Sequence, residues 1–347
     1  MSKFNLFLHK LTHWEYWPFG IVYFPMYFAW LYYAAKARTW FFFLPANPLI
    51  KNAGFLLESK KEIYDSIPAY AIPKTLLFQQ HSDSSYILDK MKEAGIGFPC
   101  IAKPDIGMKG LAVSRLDNEQ DLNIYLTKIQ LDFLIQEYIS LPNEMGVFYY
   151  RLPGEPSGYI SGIVHKELLS ITGDGSNSIE ELLHKDPRYQ FQIPALRKIY
   201  GAGLGEIPDR GEIKDLVPYG NHARGAKFTD SSAHADAQLV TFIDQLCRQV
   251  PEFYYGRLDI KYNTIEELKQ GKNFCIIELN GAGSEPTHIY DPAHSLFFAW
   301  KEILRHYRLL WEISMKNHQR GIPHMPWREG LTMLRQHKEV VKKLQAF

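Results

Sequence analysis

The chain of 347 residues has only three cysteines, Cys100, Cys247 and Cys275. The number is odd and no two stand at CxxC or metal-ligand spacing. A disulfide framework and a cysteine zinc site are therefore excluded, and a reducing compartment is indicated. Charge of one sign is also missing: 39 Lys and Arg against 38 Asp and Glu leave a net +1, too little for a wholesale nucleic-acid binder. No GxxxxGK[ST] phosphate loop occurs, and GAGLG (201–205) follows no strand, as a dinucleotide-binding GxGxxG would. The apolar N-terminus lacks the small-residue cleavage pattern of a secretory signal. At 46% hydrophobic and 22% charged the chain is not disordered. Its length suits two or three domains.

What the chain has in excess is aromatic residues, and they are concentrated. Fifteen of the thirty residues from Trp14 to Phe43 are Phe, Trp or Tyr, and no charge occurs from Trp17 to Ala35. As one helix, that uncharged stretch would reach about 28 Å, the thickness of a bilayer core. Pro25 interrupts it, and the hydroxyls of Tyr23, Tyr27, Tyr32 and Tyr33 prefer the headgroup region. A second apolar run, TWFFFLPANPLI (39–50), follows Lys36 and Arg38. The pattern predicts a broken helix lying in or dipping into one leaflet, with both cations at the phosphates and the rest of the chain on the cytoplasmic side. The alternative is an aromatic hairpin buried against the next domain or in a homodimer interface. The tail from Lys301 to Phe347 carries ten Lys or Arg and four Glu. Ile303, Leu304, Tyr307, Leu310, Trp311 and Met315 follow helical spacing, and Gly321 and Pro323 separate this helix from one over about 327–345. Its basic face is either solvated or set against anionic lipid.

Between these ends the pattern is α+β. Helices are expected over 84–94, 118–129 and 233–249, near Ile265, and after Ser178, whose Glu180 and Glu181 suit a first turn. Strands are expected at FPCIAKP (98–104), LAVSRL (111–116), FLIQEYI (133–139), 147–152, 159–165, GRLDIKY (256–262) and FCIIELN (274–280). The polar stretch 186–221 reads as a mobile loop or an insertion, of the kind that often forms a lid.

Two of the strands carry chemistry. Alternate side chains share a face, so Arg257 points with Asp259, and Glu278 with Asn280. Adjacent strands presenting Asp259, Glu278 and Asn280 form a set of hard oxygen donors suited to one or two Mg²⁺ ions on nucleotide phosphates. Arg257 beside them can neutralise a transferring phosphoryl group. Upstream, Lys103 ends an apolar strand within reach of a phosphate. Gly107 and Gly110 flank Lys109 in a loop whose amides can approach phosphate oxygens. Gln136, Glu137, Tyr138 and Ile139 end a strand whose backbone can pair with an adenine edge, and Glu144 is placed to hold a ribose.

This order of motifs resembles the ATP-grasp superfamily, in particular D-alanine–D-alanine ligases, glutathione synthesis enzymes and cyanophycin synthetase. ITGDG (171–175) followed by SIEELL, and GAKFTD (225–230), resemble the cyanophycin synthetase branch. The resemblance implies two α+β subdomains around an ATP site with two Mg²⁺ ions, Mn²⁺ being an alternative. It divides the chain into an aromatic, membrane-associated region (1–74), an ATP-grasp domain (75–295) and basic C-terminal helices (296–347). The activity implied is carboxylate–amine ligation through an acyl phosphate, on small-molecule or lipid-linked substrates and without nucleic acid. Lys103 and Lys166 would then bind phosphates, residues 137–139 adenine, Glu144 the ribose, and Asp259, Glu278 and Asn280 the metals. Arg257 would stabilise the acyl phosphate, with Arg224 and Lys227 at the γ-phosphate or the substrate carboxylate. The family's preceding α/β domain is abbreviated here, and GAGSEPTHIYDP (281–292) departs from the ligases that join two alanines. Asn47, Asn52, Glu58 and Lys60 are further pocket candidates, as are Ser284, Glu285, Thr287 and His288. Two other functions stay open: phosphoryl transfer to a hydroxyl, and a catalytically idle nucleotide-binding membrane adaptor.

Overall fold

The computed structural model describes residues 3–108, 110–217, 220 and 222–347. The chain opens with helices α1 (Lys3–Thr12), α2 (Phe19–Val22) and α3 (Phe24–Ala37). Pro25 falls in the first turn of α3, where its missing N–H costs nothing, so it starts a helix rather than kinking one. The run after α3 turns inward: Phe41, Phe42 and Phe43 are 3%, 0% and 0% exposed. Phe41–Phe43, Ala46 and Ile50 of the apolar stretch 39–50 are thus interior, as the burial alternative requires, while Trp40 and Leu49 stay exposed. Among the described residues no helix is long and apolar enough to cross a membrane.

After α4 (Lys60–Ser66) comes the smaller lobe. It comprises β1 (Thr75–Phe78), α5 (Ser84–Ala94), β2 (Cys100–Pro104), β3 (Ser114–Leu116), α6 (Glu119–Lys128) and β4 (Phe133–Glu137). Asp83 and Asn118 accept backbone N–H groups at the two helix starts, which is why the polar punctuation located these helices correctly. The antiparallel sheet runs β1-β4-β2-β3 and buries Phe78, Phe133, Ile87 and Leu122 with the two helices.

The larger lobe is built on β5 (Asn143–Tyr150) and β6 (Tyr159–Glu167). An insertion follows: β7 (Ser170–Thr172), α7 (Ile179–Leu183), α8 (Pro187–Gln190), α9 (Ile193–Tyr200) and β8 (Ile213–Asp215). It encloses its own core of Leu169, Ile171, Leu183, Leu196 and Leu216, and Ser178 and Glu181 form a capping box at its first helix. Much of the stretch expected as a loop or insertion is thus a folded insertion. β9 (Lys227–Asp230), α10 (Ala237–Arg248), β10 (Tyr255–Tyr262), α11 (Ile265–Lys269) and β11 (Phe274–Asn280) complete the lobe. Its antiparallel sheet has the order β11-β10-β5-β6-β9.

The two faces of this sheet have different work. Leu258, Ile260 and Tyr262 pack with α4, α10 and α11 into one core. On the opposite face, Phe148 and Tyr255 lie under the buried aromatics and α12 (Leu296–Gln319), and the same face of β10 continues as Arg257, Asp259 and Lys261. Apolar burial at one end thus fixes the strand that carries charge at the other. α13 (Trp327–Gln345) crosses between the lobes: Leu344 joins the small-lobe core, and Val340 touches both the small-lobe core and the aromatic cluster.

Candidate active site

A cleft of about 1010 Å³ lies between the two large sheets and is lined by residues from every part of the chain. Its floor is the β10–β11 pair, where Asp259 faces Glu278 and Arg257 faces Asn280 across the ladder. The register shifts after Asp259, so that Ile260 pairs with Ile276 and Ile277 is left over as a bulge. Two side chains use the freed Ile277 carbonyl. It accepts hydrogen bonds from Tyr64 Oη and, at 3.3 Å, from Lys103 Nζ.

Lys103 also donates to Tyr64 Oη at 2.7 Å and Gln136 Oε1 at 2.8 Å. The lysine is thus held at the end of β2 by neutral oxygens. Burial pulls its pKa down to about 8, against the pull of Glu278. Beside it, Lys166 Nζ pairs with Glu144 at 2.9 Å and Asp259 at 3.0 Å. Burial opposes its charge, but the two carboxylates outweigh burial and hold its pKa above the usual range. Arg257 grips Asp259 through Nε at 2.9 Å and Nη2 at 3.2 Å. Asp259 is kept below the ordinary carboxylate range although burial pushes the other way, because Arg257 and Lys166 both face it. The result is an alternating chain of buried charge, Glu144–Lys166–Asp259–Arg257. Gly146 makes room for it: a Cβ there would stand 3.1 Å from Asp259 Oδ1 and 2.9 Å from Val164 Cγ1.

Polar atoms left over point to a missing occupant. Glu144 Oε2, Asn280 Nδ2 and Glu58 Oε2 are buried without hydrogen-bond partners, and all three residues line the cleft. Burial, with Glu278 nearby, raises the Glu58 carboxyl above its usual pKa despite Lys60. Asp259, Glu278 and Asn280 are neighbours on one face, and their oxygens are of the kind that hold divalent cations of the Mg²⁺ class. Asp259 is engaged by Arg257 and Lys166, and among the described residues no group of three His, Cys, Asp or Glu is placed to hold a metal.

Of the residues singled out from sequence, Lys103, Gly107, Gly110, Gln136 to Ile139, Glu144, Lys166, Arg257, Asp259, Glu278 and Asn280 all line the cleft. Lys109 lies outside the described residues. Arg224 and Lys227 are not among the lining residues; Lys227 projects from β9 and pairs with Glu167. Tyr138 stands between two cations, with Arg115 4.9 Å and Lys261 5.7 Å from its ring centre.

The segment that precedes the smaller lobe enters this site directly. The backbone N–H groups of Ala282 and Gly283 donate to Ala53 and Gly54 carbonyls at 2.9 Å. Gly54 and Gly281 approach so closely that a Cβ on Gly54 would meet Gly281 Cα at 2.7 Å. This strap carries Glu58 and Lys60 to the cleft wall, and Lys60 Nζ donates to Gly107 O at 3.1 Å. The other two candidates serve the scaffold: Asn47 bonds Tyr254, Tyr255 and Ala53 backbone groups, and Asn52 the Leu56 carbonyl. Elsewhere in the cleft lining, both oxygens of the buried Glu15 accept from Nη2 of Arg188 of α8, at 2.9 and 3.0 Å, and Glu15 meets His222 at 3.2 Å. Sequence reading passed over Tyr64, Lys261, Glu15 and Arg188. Only Tyr64 had a local signal, in the Ser59-x-x-Glu62 cap that starts α4.

No family model matches the chain. It is 24% identical over 198 residues to the glutathione biosynthesis bifunctional protein of Clostridium perfringens, a match over 52% of this chain and 25% of that protein. The chain therefore spans about a quarter of the curated relative it matches. Among solved structures it is similar to the bifunctional glutathione synthetase of Pasteurella multocida, with 13% identity and TM-score 0.36 over 75% of this chain and 36% of that one. It is also similar to the VanG D-Ala:D-Ser ligase of Enterococcus faecalis, with 12% identity and TM-score 0.41 over 74% and 62%. For the D-alanine–D-alanine ligase of Bacillus anthracis the values are 13% and 0.41 over 76% and 67%.

Proposed function

We propose that the chain is an ATP-dependent carboxylate–amine ligase that forms an amide through an acyl phosphate, releasing ADP and phosphate. The observation that carries this reading is the convergence, in one cleft between two sheets, of Lys103, Lys166 and Arg257 with Asp259, Glu278 and Asn280. Three cations facing oxygen donors suit a polyphosphate with divalent metal, and a buried arginine beside them suits charge developing on a transferred phosphoryl group.

In this reading the ends of β2 and β4 and the glycine loop receive the nucleotide, with Tyr138 and Ile139 at the base. Asp259, Glu278 and Asn280 hold two Mg²⁺ ions, which neutralise phosphate charge when bound. Lys103 and Lys166 hold phosphate oxygens, and Arg257 stabilises the acyl phosphate. The chain's own contribution is alignment, charge neutralisation and exclusion of water. The Glu15–Arg188 bridge supports closure of the cleft. A carboxylate oxygen attacks the γ-phosphorus as the bond to ADP breaks. The neutral amine then attacks the acyl carbon, the new C–N bond replaces the C–O bond to phosphate, phosphate leaves with the electron pair, and the proton shed by the amine nitrogen passes to that phosphate or to solvent.

The substrate is read as amphipathic or membrane-linked and the chain as working at a membrane surface. Phe4, Phe7, Phe24, Phe28, Leu31 and Tyr32 on α1 and α3 are each more than half exposed, with Lys10 and Lys36 on the same helices. Apolar faces flanked by cations favour anionic lipid. Trp17 and Phe19, from the same region, line the cleft.

The deciding experiment incubates the protein with Mg·ATP and a whole-cell extract, lipids included, and follows products by mass spectrometry, with Glu278→Gln as control. A species equal to acid plus amine minus water, formed only by the unaltered protein, establishes the ligase. A phosphorylated species, or neither product nor ADP, overturns it. Co-sedimentation with phosphatidylglycerol vesicles tests the membrane part; no binding at low salt refutes it.

A further inference from the structure

Beyond Arg257 the cleft ends in a wall with a different chemistry. Glu285, on the loop after β11, lines it together with Tyr16, Trp17, Phe19 and Tyr290. One carboxylate oxygen, Oε2, accepts hydrogen bonds from Tyr23 Oη at 3.2 Å and Tyr290 Oη at 3.1 Å. Burial, reinforced by the Glu285 charge, pushes both phenols well above their usual pKa, so both remain donors. Tyr23 belongs to the aromatic N-terminal region, 262 residues away in sequence.

No cation among the described residues is within ion-pair distance of this carboxylate. Arg257 reaches only the Glu285 backbone carbonyl, at 3.3 Å, and spends its fork on Asp259. Glu144 and Asp259 have Lys166, and Glu15 has Arg188. At contact distance Glu285 is held by two neutral donors, and the Arg257 guanidinium, although close enough to feel its charge, does not pair with it. A partly buried carboxylate draws a counter-charge, and Tyr16, Trp17 and Phe19 of the same cleft supply an apolar lining. The group that satisfies both is a compact organic ammonium with an apolar stem.

We infer that Glu285, oriented by Tyr23 and Tyr290, forms a recognition subsite for the ammonium group of a primary-amine substrate. The aromatic wall takes its apolar portion. As the acceptor subsite of a ligase, this rests on the reading above; as an ammonium site, it stands without it. It gives the N-terminal region a direct part in specificity, through Tyr23.

The test is calorimetric titration of the full chain, with Mg²⁺ and a non-hydrolysable ATP analogue present, using hexylammonium chloride and 1-hexanol as probes. Hexylammonium is expected to bind at least tenfold more tightly than 1-hexanol. Glu285→Gln should weaken hexylammonium at least tenfold while leaving nucleotide affinity within twofold. Tyr23→Phe and Tyr290→Phe should each weaken it by about two- to fivefold, and they carry the test if Glu285→Gln does not fold. Equal binding of the two probes, or unchanged hexylammonium binding in these variants, overturns the inference. Absent nucleotide binding with intact ammonium selectivity counts against the ligase reading alone. Turnover in the extract with no ammonium selectivity counts against the subsite alone.

Discussion

Replacing Lys166 with Met should be among the most damaging single changes in the cleft, and the damage should be reversible at a known place. The Lys166 side chain is 3% exposed and its two carboxylate partners 5% each. Asp259 keeps Arg257 when the lysine is removed, but Glu144 loses its only ion pair among the described residues and already has one oxygen without a partner. Removing one member of a buried pair costs about 3–5 kcal/mol, most of it the charge left behind. For a chain of this size that is about 4–7 °C in Tm. Adding Glu144→Gln removes the stranded charge, so the double variant should recover at least half of the loss while still failing to bind Mg·ATP. Urea unfolding of the unaltered chain, the two single variants and the double variant measures the coupling directly. A loss below about 1 kcal/mol for Lys166→Met, or no recovery in the double variant, would refute the view that the buried Glu144–Lys166 contact matters to the stability of the cleft.

Three further outcomes follow from the same geometry. Lys103, with its pKa lowered to about 8, loses its charge above that pH, so Mg·ATP affinity measured by calorimetry should fall about tenfold between pH 7 and 9. Lys103→Met should bind weakly at both, and an equal slope in the variant would exclude Lys103 as the titrating group. His306, buried against Ser161 Oγ at 2.8 Å and the Glu302 carbonyl at 2.7 Å, is pushed by burial down to about 3. A folded pKa below the unfolded 6.5 means stability is complete above pH 6.5 and is lost as pH falls, by about 2 kcal/mol at pH 5. His306→Gln should flatten that profile in thermal unfolding, and an unchanged slope would acquit the histidine. Gly146→Ala, whose Cβ would stand 3.2 Å from Arg257 Cδ and 3.1 Å from Asp259 Oδ1, should cost about 1–3 kcal/mol by overpacking. It should also lower ATP consumption at least tenfold, and normal turnover would show that the Arg257–Asp259 fork is not needed as drawn.

What was legible in the sequence was local. Period-2 alternation in residues 256–262 and 274–280 placed Arg257, Asp259, Glu278 and Asn280 on one surface, because strand pleat alone dictates it. Asp83, Asn118 and Ser178 marked helix starts because capping acts within three residues. The bulge at Ile277 was not legible, and with it went the reason Tyr64 belongs in the site. The aromatic segment was read as one kind of surface, yet the structure divides it: Phe41 to Phe43 are covered by α12, while α1 and α3 keep exposed apolar faces. Composition is the same in both halves. What separates them is the extent of cover: α3 lays one face on α12 through Trp30–Tyr307 and Tyr33–Trp311, whereas Phe41 to Phe43 are enclosed by distant parts of the chain, which no local pattern encodes. The stretch 186–221 looked polar because its short helices bury only a few apolar side chains each.

The burial of Phe41 to Phe43 also sets a schedule. Ser314 Oγ donates to the Phe42 carbonyl and Asn317 Nδ2 to the Pro45 carbonyl, each across 272 residues. At about 5–20 residues per second, roughly 14–54 s of synthesis separate the emergence of this aromatic run from that of the helix that covers it. Through that interval the three adjacent phenylalanines have only neighbours in sequence, Trp30 and Phe55, to pack against. A stop or deletion upstream of residue 310 would leave them uncovered for good. The affinity of this segment for other surfaces thus belongs first to the nascent chain.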